Sequence, residues 1–183
     1  MGMAAPPYYT ADMVRALPDD GKRYELVHGE LLVTPSPRGG HQLLVTRLAT
    51  ALTHYLDEYR VGVALVAPAD ISWGRSDLLV QPDVFVLPPG PIDTMEWGDA
   101  RHLLLAVEVL SPSSLRADRF TKRRVYQEQG VPLYWVVDRD ARQVEVWTPD
   151  AQFPAVERDH LVWHPTGAPL PFTLSLAGLF RPV

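Results

Sequence analysis

The sequence predicts a single domain of mixed α and β structure, and three features carry that prediction. Seven of the eight residues from Leu103 to Leu110 are hydrophobic, which is typical of a central strand covered on both faces. Between His41 and Tyr59, leucines and tyrosines recur at helical spacing, which predicts a long helix with one face on the sheet. Two apolar runs, 133–138 and 143–147, flank a polar turn and predict a hairpin. We expect residues 1–183 to form this one domain, because 46% of them are hydrophobic.

The segments before the central strand are predicted from caps and turns. Residues 1–9 are expected to be a loose tail, and Thr10 caps a short helix that Pro18 ends. The pair His28-Gly29 reverses the chain between two strands and predicts a tight hairpin. A loop rich in Pro and Gly then leads to the long helix. Further strands are predicted at 61–66, at 69–73 and within 78–87.

The segments around the central strand complete the chain. Residues 88–101 predict a long loop of Pro, Gly and acidic residues before the strand. A helix is expected from about Leu115 to Gln129, where Gly130 ends it. Residues 148–183 predict a proline-rich C-terminal extension that contains a few strand-like pieces.

Composition limits the partners and the compartment. The net charge of −5 argues against general affinity for polyanions, so a nucleic acid would have to bind at a local basic patch. No apolar run approaches the roughly 18 residues of a membrane span, and the first residues have no secretory pattern. Cysteine is absent, which excludes disulfides and thiolate metal sites. We therefore expect a cytoplasmic protein without membrane contact.

Two carboxylates on predicted strands are the first candidates for chemistry. Glu108 interrupts the central strand, and a buried carboxylate needs a counter-ion, hydrogen bonds or a metal. Asp83 follows Pro82 at the start of another strand. Because neighbouring strands lie about 4.8 Å apart, the two carboxylates can converge on one hard cation.

The helix after Glu108 adds a candidate cation. Asp118, Lys122 and Tyr126 follow one another at intervals of four and share a helical face, which we expect to look back at Glu108. The alternative is a surface ion pair worth about 0.3 to 0.5 kcal/mol. This segment is the most basic of the chain and the most plausible place for a phosphate backbone. Its arginines are Arg116, Arg119, Arg123 and Arg124.

These residues together resemble the Uma2 family, also called DUF820, of restriction-endonuclease-like proteins in the PD-(D/E)XK superfamily. The resemblance covers roughly residues 20 to 150. It rests on the following motifs: Glu25 in Tyr-Glu-Leu-Val-His-Gly-Glu, His41 after a Pro/Gly loop, Pro82-Asp83-Val84, Val107 to Ser114, Asp118 with Lys122 and Tyr126, and Gly130 to Asp138.

The resemblance implies a restriction-endonuclease-like core, a central mixed β-sheet flanked by helices, and Mg²⁺-dependent cleavage of phosphodiester bonds, with a metal-activated water as the nucleophile. Asp83 and Glu108 would be the two metal-binding carboxylates of the signature. The signature's lysine would stand at Leu110, so Lys122 on the neighbouring helix is the candidate replacement. Glu25 would be an additional acidic member.

The expected cofactor agrees with the chemistry of these groups. Mg²⁺, with Mn²⁺ as a substitute, prefers oxygen ligands and keeps several waters, so Asp83, Glu108 and the Val109 carbonyl would suffice beside a substrate phosphate. Lys122 would orient the water or stabilise the developing anion. His41 would assist from the helix start, and Ser111, Asp118 and Tyr126 would support the site.

Three alternatives to a DNA endonuclease remain open. The first is a catalytically silent nuclease-fold module that binds nucleic acid or a protein partner. The second is a metal-free hydrolase with paired carboxylates, such as a glycosidase, whose activity would survive EDTA. The third is an assembly protein. A homo-oligomer, dimer or higher, is also compatible with catalysis, because two-fold symmetry suits a duplex.

Overall fold

The computed structural model describes residues 8–93 and 95–183, which contain both helices and strands. Of the predicted tail, residues 1–7 lie outside the described residues. The helices are α1 (Ala11–Arg15), α2 (Gly39–Tyr59), α3 (Arg123–Glu128) and α4 (Leu176–Leu179), with a π-helical segment at Ala117–Lys122 and a 3₁₀ turn at Trp97–Asp99. The strands are β1 (Arg23–Val27), β2 (Glu30–Thr34), β3 (Val63–Val66), β4 (Leu78–Leu79), β5 (Val84–Leu87), β6 (Leu105–Val109), β7 (Tyr134–Asp138), β8 (Gln143–Trp147), β9 (Ala155–Glu157), β10 (His160–Trp163) and β11 (Phe172–Ser175).

A six-stranded mixed sheet with the order β3-β5-β6-β7-β8-β9 forms the centre of the fold. The β6–β7 pair is parallel, and the π-helical segment and α3 form its crossover; the other neighbouring pairs are antiparallel. The strands β2, β1 and β4 form a second sheet, and β10 and β11 a third. The predicted central mixed sheet flanked by helices is thus confirmed.

The long helix α2 covers one face of the central sheet. Its apolar stripe is buried against the strand residues that point to that face, as its helical spacing predicts. Part of the C-terminal extension packs onto the same core, because Leu161, Phe172, Leu176 and Leu179 are buried there. The extension therefore closes one end of the main core.

The alternation of β6 decides where Glu108 points. Val107 and Val109 join the core under α2, whereas Ala106 faces the opposite side, where Tyr126 of α3 is buried. Glu108 lies on the same side as Ala106, because residues two apart on a strand share a face. The sheet thereby presents Glu108 to the crossover helix.

Two local predictions need correction. The strand expected at 69–73 is absent: Ile71 forms a single bridge to Val80, and Trp73 and Gly74 have positive φ angles of 49° and 71°, which end any extended run. The helix expected from Leu115 to Gln129 is not α-helical throughout: residues 115–116 and α3 are α-helical, whereas residues 117–122 between them adopt a π-helix. No helix within the described ranges is long and apolar enough to cross a membrane.

Candidate active site

A pocket of about 530 Å³ opens where the end of β6, the start of α2 and the π-helical segment meet. Its floor is acidic and buried, since Glu25, Asp83, Glu108 and Asp118 are each at most 2% exposed. Unpaired buried carboxylates are costly, so each of these groups needs a compensating partner. The partners come from five elements: β1, α2, β6, the π-helical segment and α3.

Three groups hold the Asp83 carboxylate. Arg23 donates from Nη1 to Oδ1 at 2.8 Å, and the N–H of Val109 donates to Oδ2 at 2.8 Å. Nε2 of His41 lies 2.9 Å from the same Oδ2. Although burial raises the pKa of Asp83, the hydrogen bond with His41 and the charge of Arg23 hold it at about 2. Asp83 is therefore ionised, and both of its oxygens have partners.

Lys122 is the centre of a second group of contacts. Its Nζ lies 2.9 Å from Oε2 of Glu25 and 2.9 Å from Oε1 of Glu108. Asp118, one turn earlier on the same segment, places Oδ1 at 3.2 Å. Burial lowers the pKa of Lys122, but the surrounding carboxylates outweigh burial and raise it well above the usual lysine value. The side chain is therefore a buried ammonium.

Glu108 combines the strongest burial with the most neighbouring charge. Its Oε1 accepts from Lys122 and also from the hydroxyl of Tyr126 at 3.0 Å. Burial raises the pKa of Glu108 well above the usual glutamate value. Lys122 lowers this pKa, but the neighbouring carboxylates raise it further. Among the described residues, Oε2 of Glu108 has no hydrogen-bond donor. One oxygen of this carboxylate is thus available to a ligand.

The charges on the pocket floor do not balance. Four carboxylates surround two permanent cations, Arg23 and Lys122. When all four acids are ionised, they exceed these two cations by two negative charges. A divalent cation would neutralise this excess.

The donor atoms suit Mg²⁺, because carboxylate oxygens are the hard ligands that it prefers. Asp83 and Glu108 line the same pocket, as the sequence predicts. However, residues 8–93 and 95–183 contain no group of three or more His, Asp or Glu side chains arranged for a metal. A bound ion would therefore need water and substrate oxygens to complete its shell, which Mg²⁺ commonly uses. The Val109 carbonyl stays a predicted ligand.

Ser111, the remaining residue predicted to support the site, lies in a turn beside it, and Tyr134 makes a further contact there. Oγ of Ser111 lies 3.0 Å from Oγ of Ser114 and 3.1 Å from Oγ of Ser113, within a turn that lines the pocket. The hydroxyl of Tyr134 donates to the carbonyl of Asp118 at 2.9 Å and so anchors the π-helical segment to β7. Both contacts fix elements that carry pocket residues.

The four arginines predicted to bind nucleic acid fall into two pairs. Arg116 and Arg124 are exposed. Arg119 donates to Asp138 and to Glu145, each at 2.7 Å, and Arg123 stacks over the ring of Trp147 at 4.5 Å. None of the four is among the described residues that line the pocket.

The sequence reasoning missed three arginines that do line the pocket, Arg23, Arg38 and Arg139. Arg23 precedes Glu25 by two residues on β1, so a shared strand face was a usable signal for it. Arg38 stands directly before α2 and Arg139 directly after β7. No local signal joins these last two, because only the tertiary fold brings them to one pocket.

Comparisons with known proteins bear on the family and the fold of this chain. The family model of Uma2, described as "Putative restriction endonuclease", matches residues 11–177. Among solved structures, the chain resembles a putative nuclease belonging to DUF820 from Anabaena variabilis ATCC 29413. The two are 24% identical, the match covers 93% of this chain and 97% of that chain, and the TM-score of 0.74 shows a shared fold. The comparison with curated proteins gives no match.

Proposed function

The chain belongs to the Uma2 family of restriction-endonuclease-like proteins, and on that premise we propose that it is a metal-dependent endonuclease that hydrolyses phosphodiester bonds of DNA. The observation that carries this proposal is the pocket floor, where four buried carboxylates meet two permanent cations. Such clusters of buried, perturbed ionisable groups in a cleft are typical of active sites.

Asp83 and Glu108, with the Val109 carbonyl, would hold Mg²⁺ or its substitute Mn²⁺. When bound, the ion would make a water more acidic and offset the charge that develops on the phosphate oxygens. The proposal uses the free Oε2 of Glu108 and requires Asp83 to give up part of its contact with Arg23 or His41. Both partners lie at the edge of the pocket and remain beside a substrate phosphate.

Lys122 would act as the preorganised cation of the site. Its ammonium is fixed by Glu25, Glu108 and Asp118, so its position costs no reorganisation during the reaction. Tyr126 would hold Glu108 in place through its hydroxyl. His41 faces Asp83 and would assist with a proton at Nε2.

We further propose that the nuclease acts in the cytoplasm as a homo-oligomer. A dimer would match the two strands of a duplex through its two-fold axis. Light scattering coupled to size-exclusion chromatography measures the oligomeric state directly, and a monomeric mass contradicts this part of the proposal.

Calorimetric titration of Mg²⁺ and Mn²⁺ into the protein tests the assignment, followed by incubation with plasmid and with single-stranded DNA. Asp83→Asn and Glu108→Gln should abolish metal binding and metal-dependent nicking. Glu145→Gln is the matched control, because Glu145 is buried but binds Arg119 outside the pocket. If the wild type binds no divalent ion even with DNA present, the proposal fails.

A catalytically silent module is the second candidate, and one observation favours it. Both oxygens of Asp83 already have protein partners, which is the arrangement expected of a structural carboxylate. This candidate predicts that the protein binds DNA yet leaves it intact in Mg²⁺ and Mn²⁺. Cleavage that EDTA abolishes would exclude it.

A further inference from the structure

Two arginines at the mouth of the pocket differ from most other arginines near the site. Arg38 and Arg139 are both exposed and both line the same pocket as the buried carboxylates. Among the described residues, neither forms an ion pair or donates a side-chain hydrogen bond, whereas Arg23 and Arg119 are bound to carboxylates. The pocket thus has an acidic floor and an unsatisfied basic rim.

The fold brings these arginines together from distant parts of the chain. Arg38 is the residue before α2, and the guanidinium of Arg139 lies against Gly40 in the first turn of the same helix. A β-carbon at Gly40 would overlap that guanidinium in its present position, so a larger residue there would displace the end of the Arg139 side chain. Both positive charges therefore sit at the start of α2.

This position is unfavourable for cations unless an anion joins them. The start of a helix carries a partial positive charge, which repels arginine and attracts phosphate. Two acids flank Arg139 in sequence. Asp138 is already held by Arg119 at 2.7 Å and by the N–H of Ala141 at 2.9 Å, so it contributes little compensation to Arg139. Asp140 lines the same pocket, but among the described residues it forms no ion pair with Arg139.

We propose that Arg38 and Arg139 bind a backbone phosphate of the nucleic acid, next to the phosphodiester that faces the carboxylates. The inference rests on the proposed function and adds the path of the nucleic-acid strand. That path crosses the start of α2 and does not follow the segment from Arg116 to Arg124. A guanidinium matches phosphate well, because its planar fork donates two parallel hydrogen bonds. The rim would thus hold the strand that the floor cleaves.

Fluorescence anisotropy with a labelled single-stranded oligonucleotide, in EDTA and again in Ca²⁺, tests this path. For Arg38→Gln/Arg139→Gln we expect about tenfold weaker binding at low salt and a slope of log affinity against log salt that is smaller by about 1.4. Arg116→Gln/Arg124→Gln is the matched control, since it removes the same charge from exposed positions outside the pocket. This control should bind like the wild type.

Two readouts separate this inference from a general electrostatic effect. In Mg²⁺-dependent plasmid nicking, the rim variant should raise KM and leave kcat unchanged. Asp140→Asn, which removes an acid from the same rim, should tighten binding. Equal losses in the rim variant and in the control, or no loss in the rim variant, would overturn the inference.

The outcomes also distinguish this inference from the proposed function. A wild type that nicks plasmid in Mg²⁺, together with an unaffected rim variant, leaves the nuclease assignment intact and overturns only the path. A wild type that neither binds nor cleaves nucleic acid overturns both. Circular dichroism should show that the rim variant is folded, because both side chains are exposed.

Discussion

The ammonium of Lys122 lies 2.9 Å from Oε1 of Glu108, although the two residues belong to different elements fourteen positions apart. Two residues after Glu108, just past the end of β6, the position where the sequence resemblance implies a lysine holds Leu110, which lines the same pocket. The crossover between β6 and β7 therefore supplies a charge that the strand lacks. That Lys122 replaces the strand lysine in catalysis stays a prediction, and it can be tested separately from its effect on stability.

Lys122→Met should lower both activity and stability. Removing one partner of a buried ion pair costs about 3 to 5 kcal/mol, because the remaining carboxylates lose their counter-ion. Losing a preorganised cation at the reacting phosphate should also reduce kcat by about 10² to 10³. Urea unfolding and plasmid nicking measure the two effects, and a variant that cleaves normally would show that the lysine is structural.

Leu110→Lys in the Lys122→Met background gives the complementary experiment. If an ammonium serves equally well from position 110 as from position 122, the second substitution should restore part of the lost activity. Leu110→Met in the same background controls for the change of side-chain shape. Equal activity in the two double variants would contradict the idea that the site requires an ammonium beside Glu108.

Tyr126→Phe should affect chemistry more than stability. The substitution removes a hydroxyl that donates to Glu108 at 3.0 Å, which costs about 1 kcal/mol and raises the pKa of that carboxyl further. The rising limb of the pH–rate profile should therefore move to higher pH. Tyr134→Phe is the control: it leaves the Asp118 carbonyl without this donor and should lower stability by about 1 to 3 kcal/mol with no such displacement.

Glu108→Gln should change how stability depends on pH. Because the pKa of Glu108 is raised in the fold, the folded chain binds this proton more tightly, so its contribution is largest at low pH and declines as pH rises above about 4.5. Without metal, the melting temperature of the wild type should fall more steeply than that of the variant as pH rises above about 4.5. Identical slopes would contradict the raised pKa.

Asp83 should act in the opposite direction at lower pH. Its pKa of about 2 lies below the usual value of 3.8, so its stabilising contribution is present above that value and is lost as pH falls toward 2. Asp83→Asn should therefore flatten the acid limb of the stability profile. The same melting series checks this, and an unchanged acid limb would exclude the contacts with Arg23 and His41 as its cause.

Arg119→Gln should destabilise the fold without weakening nucleic-acid binding. Arg119 holds Asp138 and Glu145 in a partly buried ion pair, and losing charged hydrogen bonds of this kind costs about 1.5 to 3 kcal/mol. Arg116→Gln, at an exposed position, should stay within about 0.5 kcal/mol of the wild type. Chemical unfolding compares the two, and equal stabilities would contradict a structural role for Arg119.

Short sequence patterns correctly predicted those turns and helices whose backbone geometry depends on the residues of the pattern itself. The turn at His28-Gly29 has positive φ angles of 49° and 82°, which a glycine-containing pair indicates in advance. The stripe on α2 follows from helical spacing alone. The strand expected at 69–73 failed because its alternating composition did not reveal that Trp73 turns into the left-handed region.

Residues of the candidate site could be predicted from the sequence where they are unusual for their position, and could not where they are common there. Glu108 was conspicuous, because a carboxylate in a buried strand requires an explanation. Arg38 and Arg139 were not, because exposed arginines in loops are common and only the fold brings them to one pocket. The π-helix also escaped prediction, since residues four apart satisfy the helical pattern in either geometry.

Because of the π-helical turn between Ala117 and Lys122, one residue determines how the side chains before and after the turn are rotated relative to each other around the helix axis. A π turn holds about one residue more than an α turn, and each residue of an α-helix advances the chain by about 100°. Deleting the exposed Phe120 would therefore rotate Asp118 relative to Tyr126, although both residues remain in the chain. The loss of one residue from this turn can thus separate the charged side chains of the site, although all of them are still present in the sequence.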